Sequence, residues 1–116
     1  MKVRRIVANI DTRDLDAAEA FYHQFLGLSV LMDHGWIKTF GSDEKMTVQV
    51  SVASEGGSGT QVPDLSIEVD DVSAALENAE SLGIAIEYGP ATEPWGVRRF
   101  YVRDPFGRLV NVLQHQ

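Results

Sequence analysis

Polar side chains occur on one face of several predicted strands, where a sheet that only packs against helices does not need them. In the last predicted strand, 108–114, neighbouring residues face opposite ways, so Asn111 shares a face with Leu109 and Leu113. Tyr101 falls on the same face of the preceding strand, and its phenol makes it the candidate general acid. Glu68 is a second catalytic candidate, as a base, and its plainer role is an ion pair across the sheet.

Further side chains on this face could bind a small molecule. Asp64 and Glu68 stand two residues apart on one strand, so both carboxylates share the face. They could balance the charges of Arg5 and Arg99, which fall on the same side by alternation. Gln49 adds a second amide to that of Asn111. An alternative is that Asn111 only pairs with a charged neighbour to satisfy buried polarity.

The tryptophans complete the set of candidates. Trp95, in the loop GPATEPWG, could stack on a planar or cationic ligand, or could pack the loop onto the sheet. Trp36, after a predicted turn, could be a ligand wall or a contact with a second copy. The predicted ligand-binding residues are Arg5, Trp36, Gln49, Asp64, Glu68, Trp95, Arg99, Tyr101 and Asn111.

Composition narrows the class of protein. A chain of 116 residues with 44% hydrophobic residues predicts one globular domain, and its net charge of -7 argues against nucleic acid as a partner. It has no apolar run near the roughly 20 residues that cross a bilayer, and its N-terminus has no signal-peptide pattern, so we expect no membrane association and a cytoplasmic location. The acidity suits a cationic ligand, although solvated acidic helix faces explain it more simply.

Metal binding is not predicted. The chain has no cysteine, and its three histidines are far apart: His23 on a helix, His34 in a turn and His115 near the end. None has metal-ligand spacing to another, so we expect surface histidines and no metal or other cofactor.

Two similar halves are expected to position these side chains. Residues 14–28 place Leu15, Ala18 and Tyr22 on one helical face, with Asp14 as cap and Gly27 as terminator. Residues 71–84 repeat this pattern, and each helix follows a predicted strand and precedes several more. The predicted organisation is an α+β fold of two βαβββ modules, 1–53 and 64–116, joined by the Gly- and Ser-rich linker 54–63.

Alternation also predicts the two faces of the strands. One set of alternate residues is apolar and would support the helices, and it runs through residues 6–10, 48–52, 65–69, 100–102 and 110–112. The opposite face mixes polar and apolar residues. From alternation alone, that face could be a solvated sheet surface or the lining of a ligand cleft.

The pattern resembles the vicinal oxygen chelate superfamily, which includes glyoxalase I, extradiol dioxygenases and bleomycin resistance proteins. The resemblance rests on Asp14-Leu15, Phe21-Tyr22 and Leu26-Gly27 in the first helix and on WGVRRFYVRDPFGRL, residues 95–109. It covers nearly the whole chain. It implies that the two modules form an open barrel with a concave site and the helices outside, and that the chain is a homodimer.

The resemblance also implies where a metal would bind. The metal-ligand positions of the family fall on or near Arg5, Gln49, Asp64 and Asn111, where metalloenzymes have histidines and carboxylates. Arginine has a permanent charge and no lone pair to give, so Arg5 would repel a metal ion. We therefore expect a metal-free protein similar to the bleomycin-resistance branch, which binds a small cationic or aromatic ligand in a dimer cleft. The alternative is a metal-dependent glyoxalase-like lyase, isomerase or dioxygenase, and a third option is a regulatory domain without a small-molecule site.

Overall fold

A computed structural model describes residue 5, residues 7–45 and residues 49–116. The predicted strand residues Ile6, Thr47 and Val48 lie outside the described residues. The described chain is an α+β structure with two helical regions, a two-stranded sheet and a four-stranded sheet.

The first helical region begins where the sequence predicts it. Asp14 caps helix α1, Leu15–Ala18, by accepting a hydrogen bond from the Ala17 backbone N–H at 3.1 Å. The helix continues as a π-helix, Glu19–Phe25, and ends before Gly27, whose φ of 73° suits glycine. Strands β1, Ser29–Asp33, and β2, Lys38–Gly41, then form an antiparallel hairpin.

The second half of the chain forms the larger sheet. Strand β3, Leu65–Glu68, leads into helix α2, Val72–Ser81, where Asp71 caps as predicted by accepting from the Ala74 N–H. Strands β4, Ile86–Glu93, β5, Val97–Arg103, and β6, Leu109–His115, follow. Their order in the sheet is β3-β6-β5-β4, with β3 parallel to β6 and the other pairs antiparallel. This βαβββ unit is the arrangement predicted for residues 64–116.

Both helical regions contribute to one hydrophobic core on the apolar face of the large sheet. The aromatic side chains Phe21, Tyr22 and Phe25 are buried there together with Val72 and Ala79 of α2. The sheet contributes Phe100, Val102, Val110 and Val112, all fully buried. These strand residues are the apolar set that alternation predicts, so the opposite face of β5 and β6 is the one left for function.

Asp104 anchors the first helical region to the β5–β6 turn. Its carboxylate accepts hydrogen bonds from the Tyr22 hydroxyl at 2.8 Å and from the backbone N–H groups of Phe106 and Arg108. Burial, followed by the hydrogen bond to Asp104, raises the pKa of Tyr22. The 104–107 turn therefore has a structural role.

The first half differs from the prediction in its outer strands. Residues 7–11 and 49–52 have no regular secondary structure, although alternation predicts a strand in each segment. Val50 and Val52 are 74% and 96% exposed, so they do not support a helix in this chain. Nothing in the described part of the chain covers them, and apolar side chains without a cover do not fix the register of a strand.

Within the described residues, no helix has the length and hydropathy that crossing a membrane requires.

Candidate functional site

Polar side chains gather on the face of the large sheet opposite the core. Asn111 in β6 lies between Ser66 of β3 and Tyr101 of β5 in the strand register. One step along, Leu113 lies between Glu68 and Arg99. The sheet therefore presents rows of side chains from three strands, as the alternation pattern predicts.

A cavity of about 350 Å³ lies over this face. That volume is within the usual range for small-molecule sites. Five of the predicted ligand-binding residues line it, namely Gln49, Glu68, Trp95, Arg99 and Asn111, together with Ser51, Ser66, Val97, Leu113 and His115.

Asn111 is the one lining residue with an unused buried polar atom. Its side chain is only 7% exposed, and its Nδ2 donates to the Ser66 hydroxyl at 3.2 Å. Its Oδ1 has no hydrogen-bond partner among the described residues. Buried polar atoms are nearly always paired, and leaving one unpaired costs folding free energy. The oxygen is therefore an unpaired hydrogen-bond acceptor in a residue that lines the cavity.

Glu68 and His115 form a pair on the same wall. The Nδ1 atom of His115 lies 2.7 Å from Oε2 of Glu68, and both side chains are partly exposed. The histidine is exposed, as the sequence predicts, and it also lines the cavity. The strand alternation that places Asn111 extends to residue 115, and it was the available signal.

Arg99 and Glu93 form a buried ion pair beside the cavity. Both side chains are 4% exposed, and Arg99 Nε donates to Glu93 Oε1 at 3.3 Å. Ser58 and Tyr88 donate hydroxyl hydrogen bonds to the same carboxylate. The hydrogen bond from Ser58 lowers the pKa of Glu93 most, and the bond from Tyr88 and then Arg99 lower it further. Neither Tyr88 nor Glu93 is among the residues that the sequence predicts for the site.

Most N–H groups of the Arg99 guanidinium are already hydrogen-bonded within the protein. Its Nη1 donates to the Gly56 carbonyl and to the Tyr101 hydroxyl, both at 2.8 Å, and its Nη2 donates to the Gly57 carbonyl at 3.2 Å. The rings of Tyr88, Trp95 and Tyr101 surround it at 4.9 to 5.4 Å from ring centroid to Cζ.

Tyr101 lies under this cluster and does not line the cavity. Its hydroxyl accepts from Arg99 Nη1 and lies within hydrogen-bond distance of the Thr60 hydroxyl, at 2.9 Å, and of the Gly56 carbonyl, at 3.3 Å. The phenol proton is thus engaged inside the protein. This geometry does not offer Tyr101 to a substrate as the general acid that the sequence suggested.

Three predicted site residues lie apart from the cavity lining. Asp64 is exposed, and its carboxylate accepts from the Leu109 backbone N–H at 2.8 Å, where β3 and β6 begin to pair. Trp36 is 78% exposed between β1 and β2. Arg5 is exposed and is not assigned to a helix or strand. The structure therefore does not bring these three together with Asn111.

The donor set does not fit a divalent metal ion. Among the described side chains, no three of His, Cys, Asp and Glu are grouped closely enough to hold one. At the positions that the family resemblance implies, Asp64 is occupied with a backbone N–H and Asn111 offers a neutral oxygen. We derive no metal-dependent step from these residues.

The sequence matches the family model described as Glyoxalase/Bleomycin resistance protein/Dioxygenase superfamily over residues 5–112. A comparison with curated proteins found no match.

Solved structures with the same fold include TnmS3, an antibiotic binding protein from a Streptomyces species, with a TM-score of 0.69, 21% identity and coverage of 100% of this chain and 97% of that chain. A lactoylglutathione lyase from Agrobacterium tumefaciens has a TM-score of 0.59 and 26% identity, over 87% of this chain and 85% of that one. A superfamily member from Sphaerobacter thermophilus has a TM-score of 0.66 and 21% identity, over 99% and 98%.

Proposed function

The chain belongs to the glyoxalase/bleomycin resistance protein/dioxygenase superfamily, and from that premise we propose that it binds a small molecule in the cavity over the large sheet. The observation that carries the proposal is the unpartnered Oδ1 of Asn111, buried in the cavity wall. A ligand that donates a hydrogen bond to this oxygen would remove an unfavourable feature of the free protein. The antibiotic binding protein TnmS3, which shares the fold, supports small-molecule binding.

The remaining hydrogen-bonding capacity of the cavity favours a ligand that donates. Arg99, its lining cation, is paired with Glu93 and donates four of its five N–H groups to oxygens of the protein. Two acceptors in the lining are available to such a ligand: the unpaired amide oxygen of Asn111 and the carboxylate of Glu68, whose Oε2 contacts the exposed His115. A cation with N–H donors matches both, because charge-assisted hydrogen bonds are the stronger ones. The proposed ligand class is an amine or amidine.

The apolar part of the lining favours a flat ligand. The indole of Trp95 is half-exposed at the cavity, next to Val97 and Leu113. An aromatic face on a positively charged ligand can stack on this indole and gain a cation–π contribution. The ligand of the proposal therefore combines an aromatic ring with a cationic donor.

We propose that the chain acts as a homodimer whose two copies complete open barrels from tandem modules. The support is the apolar surface of the first half, where Leu31, Trp36, Val50 and Val52 are 60–96% exposed. Full burial of a valine or leucine side chain contributes about 1.5–3 kcal/mol. Their burial against a second copy would give residues 49–52 a surface to pack on, which would stabilise a strand there.

A second candidate is an enzyme, and the Glu68–His115 pair favours it. A carboxylate on Nδ1 fixes the tautomer and orientation of the ring, which leaves Nε2 to take a proton from a bound substrate. The structural likeness to a lactoylglutathione lyase is compatible with isomerase or lyase chemistry. His115→Gln keeps a polar side chain and removes the base, so it should abolish a turnover while leaving ligand affinity in place.

A matched set of three probes tests the proposed ligand class. Benzamidine, benzamide and benzoate share one shape but are a cation with donors, a neutral donor and an anion without donors. We expect affinity to fall in that order in calorimetric or NMR titrations, and the chemical shifts of Asn111 and Trp95 to move with benzamidine. Tighter binding of benzoate would refute the charge argument, and no response to any of the three would remove the aromatic cation as the ligand class.

A further inference from the structure

The segment predicted as a plain linker is folded against the cavity. Residues 55–61, called the strap below, form a compact loop: the Gly56 N–H donates to the Thr60 carbonyl at 2.8 Å, and the Thr60 N–H donates to the Gly57 carbonyl at 3.0 Å. We propose that Arg99 is a positioning residue that holds this strap closed, and that the closed strap fixes Trp95 as a wall of the cavity. This inference rests on the proposed function only for the identity of what the cavity holds.

The first support is the number of bonds from the sheet to the strap. Arg99 donates to the carbonyls of Gly56 and Gly57, and Tyr101 contacts Thr60 through its hydroxyl. Ser58 donates to Glu93 from the other side. The planar fork of an arginine reaches two adjacent carbonyls from two nitrogens in fixed geometry, whereas a lysine has a single nitrogen on a flexible stem.

The second support is the lack of room at the strap glycines. A Cβ on Gly57 would lie 2.7 Å from Cη2 of Trp95, and one on Gly56 would lie 2.6 Å from the Tyr101 hydroxyl oxygen. Gly57 also has a φ of 86°. The strap backbone therefore touches the indole edge directly, while Arg99 stacks on the indole face at 5.1 Å from the ring centroid. Trp95 is held between them.

These contacts explain why Arg99 is buried although it lines a cavity. Four of its five N–H groups donate hydrogen bonds within the protein. A ligand that bound to its guanidinium would have to displace two backbone carbonyls. Holding the strap instead sets the position of Trp95, which lines the cavity. The strap thus determines which ligand shapes the cavity admits.

The test compares two glycine variants in the full chain with Trp36→Phe, so that Trp95 is the only tryptophan. Gly57→Ala places a methyl group against the indole. Gly59→Ala is the matched control, because Gly59 has a φ of 73° in the same loop but nothing within 4 Å of its Cβ position. Arg99→Lys is a third variant that keeps the charge next to Glu93 and loses the fork.

Two readouts need no ligand. A Glu-specific protease should cut after Glu55 about tenfold faster in Gly57→Ala and Arg99→Lys than in the parent, because cleavage follows the population of the open segment. Cleavage after the exposed Glu44 is the internal control and should not change. Acrylamide quenching of Trp95 should rise in the same two variants, and Gly59→Ala, which introduces the same kind of backbone strain without the contact with the indole, should change much less in both readouts.

The outcomes separate this inference from the proposed function. Equal cleavage and equal quenching in the Gly57→Ala and Gly59→Ala variants would refute the proposed role of the strap, whatever the cavity binds. If the strap opens as expected, stopped-flow mixing with benzamidine should show faster association and faster dissociation in Gly57→Ala. Opening without any benzamidine binding in either protein would leave the strap in place and count against the proposed ligand alone.

Discussion

Replacing Asn111 by leucine separates a ligand-binding role from a structural one. The substitution removes the buried Oδ1 that has no partner among the described residues, and it also removes the 3.2 Å hydrogen bond from Nδ2 to Ser66. Leucine has the same number of side-chain heavy atoms and the same branching at Cγ but is larger, so the change should not open a cavity of the kind that penalises large-to-small substitutions. The two polar effects then have opposite signs.

The magnitudes favour a stable variant. Relief of a buried unsatisfied group is worth about 1–3 kcal/mol, and loss of an ordinary hydrogen bond costs about 0.5–1.5 kcal/mol. Ser66 is exposed and can bond to water instead, which places its loss at the low end. We therefore expect Asn111→Leu to unfold with a free energy between about equal to the parent and about 2 kcal/mol higher. Binding of benzamidine should weaken by about tenfold or more, the worth of one charge-assisted hydrogen bond.

The assays are urea unfolding and calorimetric titration on the same protein samples. Ser66→Ala is the matched control, because it removes the hydrogen bond and keeps the amide oxygen, and it should retain benzamidine affinity. A loss of more than about 1 kcal/mol in Asn111→Leu, with a similar loss in Ser66→Ala, would show that the amide serves the fold. The unpaired oxygen of Asn111 would then no longer support a ligand-binding role.

The remaining predictions concern the buried ion pair and the exposed valines. The pKa of Glu93 is lowered in the folded state, so its carboxylate stabilises the protein above its unfolded pKa of about 4.3 and this contribution is lost as pH falls through the folded value. Urea unfolding should therefore show a smaller drop in stability between neutral and acid pH for Glu93→Gln than for the parent, and equal drops would exclude Glu93 as the source. For the proposed homodimer, Val52→Asp should convert a dimer to a monomer in sedimentation experiments, while Glu87→Gln, on the exposed face of β4, should not. A parent that sediments as a monomer would end the dimer proposal.

The sequence predicts the second half of this fold well because each local signal there agrees with its surroundings. Asp71 and Gly83 bound α2, and the apolar residues of β5 and β6 are buried on the face that alternation assigns to the core. The same alternation places Asn111 and Glu68 on the cavity face. Local propensity, period and turn chemistry all indicate one structure, which is the condition for a reliable prediction.

The first half shows where such reasoning fails. Val50 and Val52 alternate as strand residues should, yet they are exposed, because periodicity reports a preference for burial and does not provide a covering surface. The strap was predicted as a linker since its residues are small and polar. Nothing in the sequence signals that the carbonyls of Gly56 and Gly57 would meet Arg99, because backbone acceptors are present at every position.

The donors and acceptors of the cavity lining differ in how far they are used within the protein. The strap supplies two backbone carbonyls that accept from Arg99, and Glu93 and Tyr101 accept two more of its hydrogen bonds. No comparable donor among the described residues reaches Oδ1 of Asn111, which lies in the same cavity wall. Folding alone would favour an apolar residue at position 111, since a buried unpaired oxygen opposes stability. The use of the Arg99 donors within the protein, together with an unpaired acceptor at Asn111, therefore supports the proposal of a ligand that donates a hydrogen bond.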